Sequence, residues 1–248
     1  MIAGKLAFVL AALAALFLLE RFRSFIRKNK HHAEDIVKNF ALWGLNALLS
    51  LAVILPVTKL AASVDLWGRG AGGIVSIILH ILLLDFWVYW WHRANHRFDF
   101  LWRFHRVHHL DKMLDTSTAV RFHFGEVFLS ALARIPVILL FAIPFRDIVI
   151  FETVLLIAAF FQHANIRLPE KLEKPLSRII VTPSIHWVHH HADSRDMHSR
   201  YCLLLSIWDH VFRSTTNGTR KEDMALGVPG DKDRSLRDLL LLPFRRGG

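Results

Sequence analysis

The sequence predicts an all-α fold: a multispan membrane bundle of about five helices with a cytoplasmic helical cap that carries a histidine-rich dimetal site. Three observations predict it. The 248 residues are 53% hydrophobic with a mean hydropathy of +0.34, and the apolar residues stand in blocks rather than at strand or surface-helix period. The basic residues gather in alternate segments between those blocks. Histidine, with 16 residues, clusters in the same segments.

The blocks can be justified in order. Residues 2–19 are long enough to cross a hydrocarbon core of about 30 Å at roughly 1.5 Å per residue. They show no small-residue cleavage site followed by a polar region, so an anchor helix is expected rather than a removed signal peptide. Further spans are expected over 40–58, 73–91, 125–145 and 148–163, the last two joined as a hairpin through Arg146 and Asp147. Segment 20–39 carries Arg21, Arg23, Arg27, Lys28, Lys30 and Lys38, and segment 92–124 carries Arg93, Arg97, Arg103, Arg106, Lys112 and Arg121. The loop near 63–72 holds only Arg69 and the hairpin tip only Arg146. Basic loops stay on the cytoplasmic side, so five spans put 20–39, 92–124 and 164–248 there together. This divides the chain into an N-terminal anchor helix and basic segment (1–39), a transmembrane bundle (40–163) and a cytoplasmic cap with a tail (164–248). The tail 235–244 is short, basic and leucine-rich, a pattern that suits the membrane surface as well as ordinary packing.

Composition also excludes some classes. The net charge of +10 follows from membrane topology, so no nucleic-acid partner is expected. The single Cys202 forms no internal disulfide, and no CxxC pair is present for zinc or an iron–sulfur cluster. Any metal must therefore use other ligands.

Histidine supplies them in three runs: His92-x-x-x-His96, His105-x-x-His108-His109 and His186-x-x-His189-His190. On a helix, residues i and i+4 share a face, so His92 and His96 can aim at one centre. Adjacent histidines diverge by about 100°, so one of each adjacent pair can reach one metal and its neighbour a second. These eight imidazoles suffice for two metals at about four each. His123 and His163, where the fourth span enters and the fifth leaves the bilayer, are two further candidates. His31, His32, His191, His198 and His210 read as surface residues, and His80 as a hydrogen-bonding group inside the third span. Ligating imidazoles usually donate their second N–H to a carboxylate or carbonyl. Asp85 lies on the helical face of His92, where a carboxylate costs roughly 2.5–3.5 kcal/mol and needs a partner; Arg134 or a histidine N–H could provide one. Glu126, Asp193 and Asp209 are further candidates for that supporting role.

Imidazole alone does not choose among zinc, copper, iron and nickel. A hydrolytic zinc site lacks its base, because no HExxH is present. The runs sit among Trp87, Tyr89, Trp90, Trp91, Phe98, Phe100, Trp102 and Phe104, at a depth that faces lipid. The demanding chemistry on a lipid chain is C–H cleavage, which takes O2 and a redox metal, so two iron ions fit.

The order of the three runs on a multispan protein resembles the fatty acid hydroxylase and sterol desaturase superfamily. Tyr89-Trp-Trp-His-Arg93, Leu101-Trp-Arg-Phe-His105, the Arg121-x-His123 step, His163-x-Asn165, Thr182-Pro183 and Trp208-Asp209 followed by Phe212 look like that family's core, which covers roughly residues 80–215. The resemblance implies a non-haem di-iron oxygenase that hydroxylates or desaturates an aliphatic C–H of a lipid with O2. It implies iron ligation by the eight histidines of the runs, with His123 and His163 as possible additions, and Asn165 as a supporting group beside them. Two departures stand out. Arg200-Tyr201-Cys202 replaces an Asn-Tyr-Gly found often in the family, and Arg213-Ser214 replaces Gly-Thr. Neither position carries a ligand, so metal binding is expected to survive. No dinucleotide, haem or iron–sulfur motif is present, which implies a separate electron donor: a reductase, ferredoxin or cytochrome. The alternative is a noncatalytic metal-binding membrane protein that retains the fold.

Overall fold

A computed structural model describes residues 2–27, 32–68 and 72–245. His31 lies outside the described residues, as do Lys28, Lys30 and Arg69 of the loops weighed for orientation. The described chain is 68% helix without strands.

After α1 (Ile2–Arg23), α2 (His32–Leu49) and α3 (Leu55–Ser63) run as one 32-residue helix, His32–Ser63. It begins eight residues before the expected Phe40, because Glu34 and Asp35 in its first turn suit the positive end of the helix dipole. A π turn at Ser50–Ile54 joins the two halves ahead of Pro56. Pro56 removes one backbone donor and crowds the preceding turn, and the wider π turn accommodates it.

α4 (Ile74–Arg97) overruns the expected span by six residues, so His92 and His96 are both helical. Phe98 ends it in an extended conformation, and α5 (Asp99–His109) follows at once. A 3-10 turn, Thr116–Val120, is closed by a capping box from Asp115 to Ser117 and Thr118.

α6 (Phe124–Leu140) and α7 (Phe145–His163) form the expected hairpin, but its tip is elsewhere. The turn is Phe141–Pro144, with Ala142 left-handed at φ 47°. Arg146 and Asp147 instead lie in the first turn of α7. Pro144 cannot continue a preceding helix but suits the position before one, and Asp147 suits a helix N-terminus.

Two helices, His32–Ser63 and Ile74–Arg97, are long and apolar enough to cross a membrane. Only 11% and 22% of their most apolar windows are buried, so both helices present apolar side chains outward. Leu48, Leu51, Leu60, Val75 and Leu79 point outward from them. α7 is the central strut, packing on α1, α3, α4 and the 3-10 turn, and then on α9 (Pro183–His189). One core joins Leu84 and Val88 of α4, Ile138 of α6, Ile148 and Phe151 of α7, and Ala61 and Ala62 of α3.

Of the remaining helices, α8 (Glu170–Leu176), α9, α10 (Ser194–Met197), α11 (Ile207–Val211) and α12 (Leu236–Leu241), α9 packs on α7, α10 on α9, and α12 on α2, while Trp208 of α11 bonds to Asp85 of α4. The tail packs rather than floats: Leu239 and Leu242 are buried with Leu42, Val107 and Leu110. Asp233 pairs with Lys38 and with the fully buried Arg121, which also donates to the Val107 carbonyl (2.9 Å) and to Asn39 (3.1 Å). This polar latch fastens the tail across α2 and α5.

Candidate metal centre

Four helices deliver histidines to one place. α4 brings His92 and His96 one turn apart. α5 and α9 each bring an HxxHH run, the last residue of the second run being the C-cap His190. α7 ends in His163, whose Nδ1 hydrogen bonds to its own helix at the Ala159 carbonyl (2.7 Å).

The imidazoles sort into two groups. His92, His96, His105, His109 and His189 form one, and His108, His163, His186 and His190 the other. Within each group the candidate ligand atoms lie within 4.8 Å of one another, and all nine residues are buried. The helical period explains the sorting. In each run the i and i+4 residues stay together, His105 with His109 and His186 with His190. The middle residue turns away to the opposite group, so His108 and His189 are exchanged between the two helices. The stacked rings of His109 and His190 (4.3 Å, 17°) mark where the groups meet.

The spacing fits metal ions. Nε2–Nε2 distances are 3.2 Å for His92–His105, 3.2 Å for His108–His163, 3.0 Å for His163–His186 and 3.2 Å for His186–His190. Nitrogens about 2.1 Å from one ion stand roughly 3.0–3.4 Å apart at right-angle to tetrahedral geometry. Both nitrogens of His96 and of His109, and Nε2 of His189, are buried without a hydrogen-bond partner. Orphaned buried nitrogens are costly, and an ion would satisfy them. Burial holds His108, His109, His186 and His190 well below the ordinary histidine range, and pushes His189 down to about 3. Each is therefore neutral near pH 7, the form that ligates.

The outward nitrogens of three rings are held by one carboxylate and two backbone carbonyls. Glu126 accepts from Nδ1 of His105 at 2.7 Å. The Tyr201 carbonyl accepts from His92 (2.8 Å) and the Ser199 carbonyl from His189 (2.6 Å). Neither carbonyl was legible in the sequence, since a backbone acceptor leaves no side-chain signal. Asp209 acts one step further out, accepting from the Tyr201 and Cys202 amides at 2.9 and 3.2 Å and from the Ser214 hydroxyl at 2.7 Å. The two departures from the family pattern fall on this loop, and both are left-handed: Arg200 at φ 54° and Arg213 at φ 51°. Asn and Gly tolerate that conformation better than arginine does.

Other expected site residues lie elsewhere. His123 is in neither group: its Nδ1 accepts from the Gly125 amide (2.9 Å) and its Nε2 faces the Leu240 carbonyl (3.1 Å). Asn165 makes no hydrogen bond to a histidine among the described residues; it clamps the segment after α1 by accepting from the Phe25 and Ile26 amides (3.1 and 3.0 Å). Asp85 pairs neither with Arg134 nor with a histidine. It accepts from Trp208 Nε1 (2.8 Å) and the Leu205 amide (3.3 Å), because the cap folds over that face of α4. Arg134 pairs with Glu152 at 3.0 Å instead. Asp193 caps α10.

Among the demoted histidines, His198 and His210 are exposed and His191 pairs with Asp196 at 2.8 Å. His32 is a correction: it is buried, 3.1 Å from Asp115, because the helix starts there. His80 makes the expected bond inside the bundle, to Asp147 at 2.7 Å.

Comparison with known proteins gives this geometry a family. The fatty acid hydroxylase family matches residues 77–214, more than half of the chain and all nine histidines. An ornithine lipid hydroxylase from Rhizobium tropici is 30% identical over 174 residues, covering 70% of this chain and 51% of that protein. An alkylglycerol monooxygenase from Danio rerio is 34% identical over 134 residues, covering 54% and 29%. A very-long-chain aldehyde decarbonylase from Oryza sativa subsp. indica is 27% identical over 190 residues, covering 70% and 28%. The chain spans about half or less of the length of these curated relatives. No solved structure matches it. With its helical scaffold and its paired histidine groups, the chain belongs to the fatty acid hydroxylase family.

Proposed function

We propose that the chain is a membrane-bound oxygenase that hydroxylates or desaturates an aliphatic C–H of a lipid, using O2 and an external electron donor. The observation that carries this reading is the pair of buried, neutral histidine groups at the end of an apolar bundle. Two irons, when bound, supply the O2 activation and one-electron chemistry that C–H cleavage demands. His92, His96, His105, His109 and His189 would hold one, and His108, His163, His186 and His190 the other. Glu126 and the Ser199 and Tyr201 carbonyls fix ring orientation. The apolar walls keep water from the reacting chain.

The same reading places five spans in the membrane: α1, the His32–Ser63 helix, α4, α6 and α7. All histidine-bearing ends then lie on the cytoplasmic side, where a separate reductase, ferredoxin or cytochrome can reach them. The hydroxylase and monooxygenase names of two relatives support a lipid as the substrate.

The test is elemental analysis of detergent-purified protein from iron-replete cells, followed by a lipid screen under O2. About two irons per chain, reduced in a His108→Ala variant that also loses lipid oxidation, is the expected result. Zinc alone, with no iron taken up anaerobically, would overturn the reading and favour a noncatalytic metal protein.

A further inference from the structure

α7 turns one stripe of side chains toward α4. Asp147 meets His80 at its start, Phe151 shares a core with Leu84 and Val88, and Ala158 packs on that same core. Gln162 stands one turn beyond Ala158, immediately before His163. On α4, Trp87 packs on this core and stacks on Trp91 (5.8 Å, 8°), immediately before His92. Both stripes thus climb the bundle to the histidines, and each ends in a polar group with nothing to bond. Gln162 is 0% exposed and neither its Nε2 nor its Oε1 has a partner; Nε1 of Trp91 is likewise buried without one. Buried polar groups are almost always paired, and a leucine at position 162 would have filled this apolar bundle without the desolvation penalty.

We propose that Gln162 and Trp91 bind the carbonyl of an acyl lipid, so that the carbon oxidised lies within a few bonds of an ester or amide carbonyl. This rests on the oxygenase reading. The count of donors favours an acceptor: Nε2 of Gln162 offers two N–H groups and Trp91 one, against a single acceptor oxygen. A carbonyl oxygen can accept from an N–H of either side chain, and an amide N–H can also donate to Oε1. A plain methylene leaves every group unpaired, and sites built for hydrogen bonding reject such analogues. One atom of O2 enters the C–H bond and the other leaves as water, with two electrons from the external carrier and two protons from solvent. Gln162 and Trp91 break no bond; they choose which carbon is presented.

The test measures binding by calorimetry to metal-free protein, using a long-chain N-alkyl amide, the matching ester, and the matching chain with CH2 in place of the carbonyl. Product positions on the iron-loaded enzyme are then read by mass spectrometry. Wild type should bind the carbonyl probes about tenfold or more tighter than the methylene probe, and oxidise close to the carbonyl. Gln162→Leu should lose that discrimination with iron content unchanged, and Trp91→Phe should lose part of it. An amide-over-ester preference that disappears in Gln162→Leu identifies the amide. Should Gln162→Leu fail to fold, Gln162→Asn and Trp91→Phe carry the test. Equal affinity for all three probes in wild type, discrimination unchanged in every variant, or oxidation far from the carbonyl would overturn the proposal. Retained discrimination with no oxidised lipid would instead count against the oxygenase reading.

Discussion

The two histidine groups differ in size, five against four, and in their supports. The five-membered group draws on α4, α5 and α9, and three of its rings are held from outside by Glu126, the Tyr201 carbonyl and the Ser199 carbonyl. The four-membered group draws on α5, α7 and α9, and His163 is anchored on the Ala159 carbonyl of its own helix. One group therefore depends on a loop of the cap and the other on a strut of the bundle. Changes in 199–214 should disturb the first, and changes along α7 the second, although the two share a wall.

The largest effect that can break this comparison comes from the exchanged residues. His108→Ala and His189→Ala should each reduce lipid oxidation to background while the protein still inserts. His108→Ala should lower metal occupancy of the four-membered group, and His189→Ala that of the five-membered one. Metal stoichiometry with anomalous scattering would separate them, and normal turnover in either variant would sink the assignment. Glu126→Gln should weaken metal affinity about 10- to 100-fold at the five-membered group alone, as loss of a carboxylate behind a ligating imidazole does. A competitive chelator titration reads this, and equal weakening at both groups would remove the proposed independence.

Acid gives the next effect. Burial depresses the folded pKa of His189 to about 3 from the ordinary histidine value of about 6.5, so the unfolded chain binds more protons between those values. Stability of the metal-free protein is then complete above about pH 6.5 and falls progressively as pH drops toward 3. Thermal melts across that range check it, and a flat profile would contradict the neutral, buried cluster. The smallest effect sharpens the comparison. Arg213 is exposed and left-handed at φ 51°, so Arg213→Gly should stabilise the protein by about 0.5–1 kcal/mol, strain relief less the added chain entropy of glycine. Iron content and the four-membered group should not change. Denaturant unfolding provides the measurement.

Much of this comparison was legible in the sequence. The i, i+4 spacing within each run and the divergence of adjacent residues foretold two histidine groups. His163 joins a group that no local pattern could assign, since its partners are 23, 27 and 55 positions away. His123 has the same local credentials and lies elsewhere, because its ring caps the first turn of α6. Helix existence was readable from apolar blocks. Helix ends were not: the start at His32 and the hairpin tip at Phe141–Pro144 were decided by capping and proline chemistry rather than by hydropathy.

The sequence by itself determined the helical class and the clustering of histidine in three short runs, because periodicity and side-chain chemistry are local properties. Only the tertiary structure decided how nine imidazoles divide five to four, which carbonyls orient them, and that the tail latches onto Arg121 through Asp233. Those outcomes depend on which helices meet and at what rotation. A buried polar group takes whatever partner the packing brings within reach, so sequence position alone does not name that partner.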